Sequence, residues 1–267
     1  MFRAILRTLR TGVVTQRHPV PAPDRFRGVP RILPGHAFQA LPLPSVCPSG
    51  ALAGDAERCE IDVSRCIFCG RCALAAPDRA IELGHEFEMS ARRREDLIVR
   101  AERGPRDRTV VRSPLAMAKP VADAIRRTLG RSLHLRHLDS GSCNACDWEL
   151  TALLNPVYDV RRLGIDFVAS PRHADGVIVT GPVTRNLEVA VRRTYEAVPE
   201  PRVVIAVGAC ASSGGIVGRS YASAGGVDQL LPVDVFVPGC PPRPDAILFG
   251  ILLAVGRRAE RQRQAAG

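Results

Sequence analysis

The sequence predicts an α/β protein in which a mostly parallel sheet domain is preceded by a small α+β domain. Three observations carry this expectation. Beyond residue 131, short apolar runs at 133–138, 165–169, 176–180, 202–207 and 233–237 alternate with helical stretches, the pattern of strands joined by crossover helices. Before that point the alternation is absent, and cysteines crowd instead between residues 47 and 72. A chain of 267 residues, 46% of them apolar, has room for two packed units of unequal size.

Taken in order, residues 1–18 form a basic amphipathic segment. Phe2, Ile5, Leu6, Leu9 and Val13 fall at helical spacing with Arg3, Arg7 and Arg10 on the other side. This suits a short helix on a membrane surface or on a partner, and equally a frayed basic arm. The arginines interrupt the apolar core that a signal peptide needs, and no run is long enough to span a membrane. From Pro19 to about Pro48, prolines without periodicity predict loops and turns, opening a domain that extends to residue 103. Residues 104–130 read as a linker with a short helix near 121–129, and 131–267 as the second domain. Its last element, from Pro244 to about Gln262, has Pro and Asp in the first turn and a basic end, as a capped helix should.

Nine cysteines without a secretory signal point to metal or redox chemistry inside the cell rather than to a disulfide framework. A net charge of +10 raises the question of nucleic acid. Only 4% of residues are aromatic and no helix-turn-helix, RNA-binding or zinc-finger pattern is present, so no nucleic-acid partner is expected. Anionic lipid headgroups or an acidic partner subunit explain the charge better.

Cys66-Ile-Phe-Cys69-Gly-Arg-Cys72 is a C-x2-C-x2-C run, a spacing that lets one tight loop wrap three thiolates around a cubane. In two-cluster ferredoxins a fourth cysteine before a proline serves the other cluster; here that position is Ala76, before Pro77. The complementary ligand is Cys47, before Pro48, at the end of a degenerate half-repeat whose other positions are Ala37, Ala40 and Leu43. One whole cluster is thus lost and one whole [4Fe–4S] site, Cys47, Cys66, Cys69 and Cys72, is kept. A structural zinc site could accept the same thiolates, although its knuckles usually come as two C-x2-C pairs. Cys59 lies in an apparent strand, RCEIDV, and reads as a small buried residue.

In the second domain Cys143-Asn-Ala-Cys146 follows a strand and opens a helix, where amides and the helix dipole favour a negatively charged cluster. Alone it could be a thioredoxin-type redox pair. Cys210, in GACASSGG, and Cys240, in VPGCPPRP, sit in two further loops after strands and bring the count to four.

The blocks GSCNACDWEL, ASPRHADGVIVTGPVTRN, VGACASSGG and PVDVFVPGCPPRP together resemble the small subunit of group 4 membrane-bound [NiFe] hydrogenases and formate hydrogenlyases, homologous to the 20 kDa subunit of respiratory complex I. The similarity runs from about Ser132 to Gly256. It implies a flavodoxin-like fold holding a proximal [4Fe–4S] cluster on Cys143, Cys146, Cys210 and Cys240, with Glu149 at a family acidic position nearby. The complex I branch carries adjacent cysteines, whereas this chain has the C-x2-C of the hydrogenase branch, with Ala145 where glycine is common. RFRGVP, the half-repeats and HEFEMSARRRED are similar to the ferredoxin-like subunits of the same complexes, so two wiring units look fused.

The resemblance implies an oxidoreductase subunit with two [4Fe–4S] clusters, peripheral on the inner face of the cell membrane. Its partners would be a hydrogenase or complex I 49 kDa-like large subunit, other iron–sulfur and membrane subunits, and a membrane surface. Asp147 and Glu149 could relay protons or lie at an interface, but the first turn of a helix also favours acids for structural reasons. The loop 208–215 lacks both nucleotide-binding glycine patterns, His134, His137 and His173 read as loop or surface residues, and the arginine run 92–94 as a solvated face or subunit contact. No nucleophile–base pair, nickel site or substrate pocket is recognisable, which places catalysis in a partner. A nickel-free quinone oxidoreductase module and a zinc-stabilised interaction protein are the rival readings.

Overall fold

The computed structural model describes residues 2–16, 22–37, 44–76, 79–113 and 132–266, without the side chains of Phe2 and of 257–266. The helix expected near 121–129 lies outside the described residues, as do Ala40, Leu43 and Pro77.

The chain opens with helix α1, Phe2–Thr11. The cysteine-rich part that follows holds two antiparallel sheets. Strands β1, Pro30–Ile32, and β4, Ile81–Leu83, pair with each other and bracket the segment that carries the first cysteines. Strands β2, Leu52–Gly54, β3, Arg58–Asp62, β5, Ile98–Arg103, and β6, Thr109–Ser113, form a four-stranded sheet in the order β2-β3-β5-β6. Helix α2, Arg71–Ala75, carries Cys72. The expectation of a linker over 104–130 is corrected at its start, since Thr109–Ser113 is a strand. The alternating Thr-Val-Val-Arg-Ser gains a full partner in β5, which its charged neighbours on the chain conceal.

Beyond residue 131 the fold follows the apolar runs closely. Strands β7, Leu133–Asp139, β8, Ile165–Phe167, β9, Gly176–Thr180, β11, Val203–Val207, and β13, Val235–Val237, form one five-stranded sheet in the order β13-β11-β9-β7-β8, every pair parallel. Counted within this sheet the order is 2-1-3-4-5, the flavodoxin-like arrangement. Two short strands, β10, Val183–Thr184, and β12, Ser223–Gly225, pair outside it. The helices are α3, Ala145–Ala152, α4, Glu188–Glu196, α5, Gly208–Ser213, and α6, Pro244–Ala266.

Successive residues of a strand face opposite sides of a sheet, and both sides are apolar here. Ile178, Val203, Ile205, Val207, Val235 and Val237 pack on one side with Ile247, Ile251 and Leu150 of the flanking helices. Val177, Val179, Val204, Ala206 and Phe236 face the other side, in one continuous core with Val29, Ile61, Val63, Leu97 and Val99 of the cysteine-rich part. That shared core welds the two parts together. The backbone of Ala91 pairs with Phe236 through two hydrogen bonds, and the Ser213 hydroxyl donates to the carbonyl of Ser64 at 3.0 Å. Arg94 bridges Asp62 at 3.1 Å and Asp228 at 3.6 Å. The solvated reading of the arginine run is therefore corrected at Arg94, whose charge is neutralised across the junction.

Candidate functional site

Cys143, Cys210 and Cys240 follow the carboxyl ends of β7, β11 and β13, and Cys146 lies on α3 just beyond the first of these loops. This is the edge at which open parallel sheets gather their sites. The loop after β7 is held by its own side chains. Asp139 Oδ1 accepts from the amides of Gly141 at 2.9 Å and Ser142 at 2.6 Å. The Ser142 hydroxyl donates to Asp147 Oδ2 at 2.6 Å, and the Thr180 hydroxyl to Asp147 Oδ1 at 2.6 Å. His137 Nε2 lies 3.0 Å from the same Oδ1, so His137 is a strand residue paired with a carboxylate, correcting its reading as a loop or surface histidine.

The four thiols stand in one another's electrostatic field. Burial pushes the Cys146 thiol far above its ordinary value, and Cys210, Cys240 and Cys143 add to the effect. Cys210 is pushed up to about 11, by burial and then by Cys240 and Cys143, and Cys240 is raised by burial and Cys143. Gly208, at φ +90°, lies where a Cβ would stand 2.6 Å from Cys146 Sγ, so the backbone itself forms a wall of the site.

Cys47, Cys66, Cys69 and Cys72 are gathered in the same way. Burial pushes Cys66 up to about 12, with Cys72, Cys47 and Cys69 contributing; Cys72 is raised by burial, with Cys47 and Cys69 contributing. Cys47 differs. Burial raises it, but the Ser49 hydroxyl and the amides of Leu52, Ser49 and Ala51 donate to the sulfur and hold it below its ordinary value. The amide of Phe68 donates to Cys66 Sγ at 3.3 Å, and Phe68 adopts φ +54° to turn the loop. Cys59 is buried in β3, as expected, and burial raises it to about 11.

The chemistry of this donor set fits a cubane. Cys66, Cys72, Cys146, Cys210 and Cys240, partly shielded from water beside other thiols, resist ionisation until metal compensates the charge, and the donors at Cys47 and Cys66 would stabilise the sulfur charge of a cluster. Among the described residues no three His, Cys, Asp or Glu side chains converge tightly enough to hold a single metal ion.

The two sets meet at a cleft of about 370 Å³ lined by both Cys69 and Cys240. Phe26, Phe68, Phe87, Met89 and Arg243 line it too, and the Arg243 guanidinium lies 4.5 Å from the Phe87 ring centroid. Arg243 also pairs with Asp245 at 2.6 Å and hydrogen-bonds Tyr158. Glu149 faces this group; burial raises its carboxyl and Arg243 opposes the rise. Sequence reasoning missed Arg243, Tyr158, Phe26 and Phe87, since nothing in spacing ties residues 26, 87 and 243 together.

A first prediction concerns Asp147. Removing its carboxylate takes the acceptor from the Ser142 hydroxyl and leaves the Thr180 hydroxyl only His137 Nε2, 3.0 Å away, so Asp147→Ala should cost about 1–2 kcal/mol of stability and Asp147→Asn, which keeps an acceptor, clearly less. Denaturant midpoints of the purified protein measure both; equal losses would show that the carboxylate does not hold the loop through these bonds.

Residues 143–254 match the family described as "NADH ubiquinone oxidoreductase, 20 Kd subunit". The chain is 50% identical over 132 residues to the probable membrane-bound hydrogenase subunit mbhJ of Pyrococcus furiosus, covering 49% of this chain and 79% of that protein. It is 40% identical over 156 residues to formate hydrogenlyase subunit 7 of Escherichia coli K12, covering 57% of this chain and 61% of that one. An NADH-quinone oxidoreductase subunit of Geotalea daltonii is 50% identical over 107 residues, covering 40% of this chain and 62% of that one.

Proposed function

The chain belongs to the NADH ubiquinone oxidoreductase 20 kDa subunit family, and on that premise we propose that it is the electron-transfer subunit of a membrane-associated [NiFe] hydrogenase or formate hydrogenlyase-like complex. It connects the catalytic centre of a large subunit to a redox partner and lies peripherally on the inner face of the cell membrane. Two [4Fe–4S] clusters are assigned, one to Cys47, Cys66, Cys69 and Cys72 in a ferredoxin-like domain, the other to Cys143, Cys146, Cys210 and Cys240.

The observation that carries this reading is the gathering of eight thiols into two sets that share one cleft through Cys69 and Cys240. When bound, the clusters supply one-electron carriers whose potentials respond to charge, hydrogen bonds and burial. The chain's own residues set those terms. Amides of Ser49, Ala51, Leu52 and Phe68 donate to Cys47 and Cys66, Asp147 ties the loop that leads from β7 into Cys143 to β9, and Phe26, Phe68 and Phe87 line the cleft beside Cys69 and Cys240. Among the described residues no helix is long and apolar enough to cross a membrane.

The C-x2-C at Cys143 and Cys146 and the identity to the mbhJ protein favour hydrogen as substrate. The identity to an NADH-quinone oxidoreductase component supports the second reading, a nickel-free module delivering electrons to quinone. Nickel content of the complex that co-purifies anaerobically with this chain separates them. Stoichiometric nickel with hydrogen-dependent dye reduction is expected. An intact, iron-replete complex without nickel would replace the hydrogenase reading with the quinone one, and zinc in place of iron would end both.

A further inference from the structure

We propose that α1 is a docking element for anionic phospholipid headgroups. This deepens the peripheral placement proposed above by naming the element and the lipid chemistry it takes. Every residue from Arg3 to Thr11 is exposed, including Ile5, Leu6 and Leu9, the last at 74%. At 100° per residue, Ile5, Leu9 and Leu6 occupy an arc of about 100°, and Arg10, Arg3 and Arg7 an adjoining arc of about 60°. The third side carries Ala4, Thr8 and Thr11, whose hydroxyls donate to the carbonyls of Ala4 and Arg7 and so ask nothing of a partner.

Charge selects the occupant. Three arginines and no acidic residue stand between Phe2 and Gln16, so the helix complements an anionic surface. The whole helix is only about 15 Å long and its strip from Ile5 to Leu9 about 6 Å, too little for stable anchoring by itself, and such helices bind when apolar insertion and lipid charge act together. Arginine stems lie along the apolar boundary while their heads reach phosphate.

The segment after the helix is fastened to the folded body. The Thr15 hydroxyl donates to the carbonyl of Pro156 at 2.9 Å, the Gln16 amide to Val157 at 2.9 Å, and Arg162 to the carbonyl of Gln16 at 2.6 Å. These anchors adjoin Tyr158, the partner of Arg243, which lies three residues after Cys240. The lipid surface would therefore approach the end of the molecule that holds the second thiol set.

The test is co-sedimentation of the full, cluster-loaded chain with vesicles of phosphatidylcholine alone and of phosphatidylcholine with phosphatidylglycerol at about three to one. Binding to the mixed vesicles only is expected. Replacing Arg3, Arg7 and Arg10 by glutamine should weaken it roughly a hundredfold, about fivefold for each arginine, and Leu9→Asp should remove it. No binding to either vesicle, equal binding to both, or binding unchanged in these variants would overturn the proposal, the first pointing to an acidic protein partner. Iron content, measured in the same samples, reports separately on the electron-transfer reading, because α1 contributes no thiol.

Discussion

A single methyl group at residue 208 is expected to abolish the second cluster. Gly208 is buried at the junction of β11 and α5 with φ +90°, and a Cβ there would stand 2.6 Å from Cys146 Sγ. That is well inside contact distance, and the atom it meets is one the proposed cluster would need in place. The backbone cannot retreat, because β11 is hydrogen-bonded on both sides, to β9 and β13. Gly208→Ala should therefore lower bound iron from about eight to about four per chain. A left-handed alanine also costs roughly 1–2 kcal/mol in backbone strain anywhere, and Gly35→Ala isolates that part, since Gly35 has φ +84° and open space around its Cβ position. Gly35→Ala should keep all its iron. Full iron retention in Gly208→Ala would show that the thiols are not arranged around a cluster at this wall.

The sequence made the second half legible because each strand of a doubly covered parallel sheet is an unbroken apolar run. Runs at 176–180 and 202–207 return as β9 and β11 almost residue for residue. The run at 233–237 shortens to Val235–Val237 for a definite reason. Asp234 is buried, its carboxylate accepts the amide of Val204 at 2.9 Å, and its amide bonds the carbonyl of Val204, so it locks the approach to the strand rather than extending it. Helix α6 runs to Ala266, a few residues past the expected end near Gln262.

What the sequence concealed lies between elements far apart in the chain. Phe236 reads as one more apolar residue of a strand, yet its backbone pairs with Ala91 and its ring joins the core of the cysteine-rich part. Arg94 reads as one of three consecutive arginines, and only the fold brings it between Asp62 and Asp228. The cleft shared by Cys69 and Cys240 has the same origin. Local spacing names the thiols of each loop, whereas their meeting depends on the shared core that presses one part against the other.

Within the first thiol set, Cys47→Ser should be as damaging as Cys66→Ser, and Cys59→Ser should be nearly silent in iron content. The three cysteines look interchangeable in composition, but their surroundings differ. Cys47 lies outside the C-x2-C-x2-C run, yet its sulfur receives the Ser49 hydroxyl and the amides of Leu52, Ser49 and Ala51, the donor pattern that stabilises a metal-bound thiolate. Cys59 is 5% exposed in β3, amid Ile61, Val99 and Ala101, and its raised thiol behaves as a small apolar side chain. Serine at 59 buries a hydroxyl, which costs about 1–3 kcal/mol of stability without removing a ligand. Cys47→Ser and Cys66→Ser should each lower iron from about eight to about four per chain and erase the same signal from the reduced spectrum. A spectrum that loses a cluster with Cys59→Ser and keeps it with Cys47→Ser would move the fourth ligand to β3 and undo the reading of Cys47 as the survivor of a degenerate half-repeat.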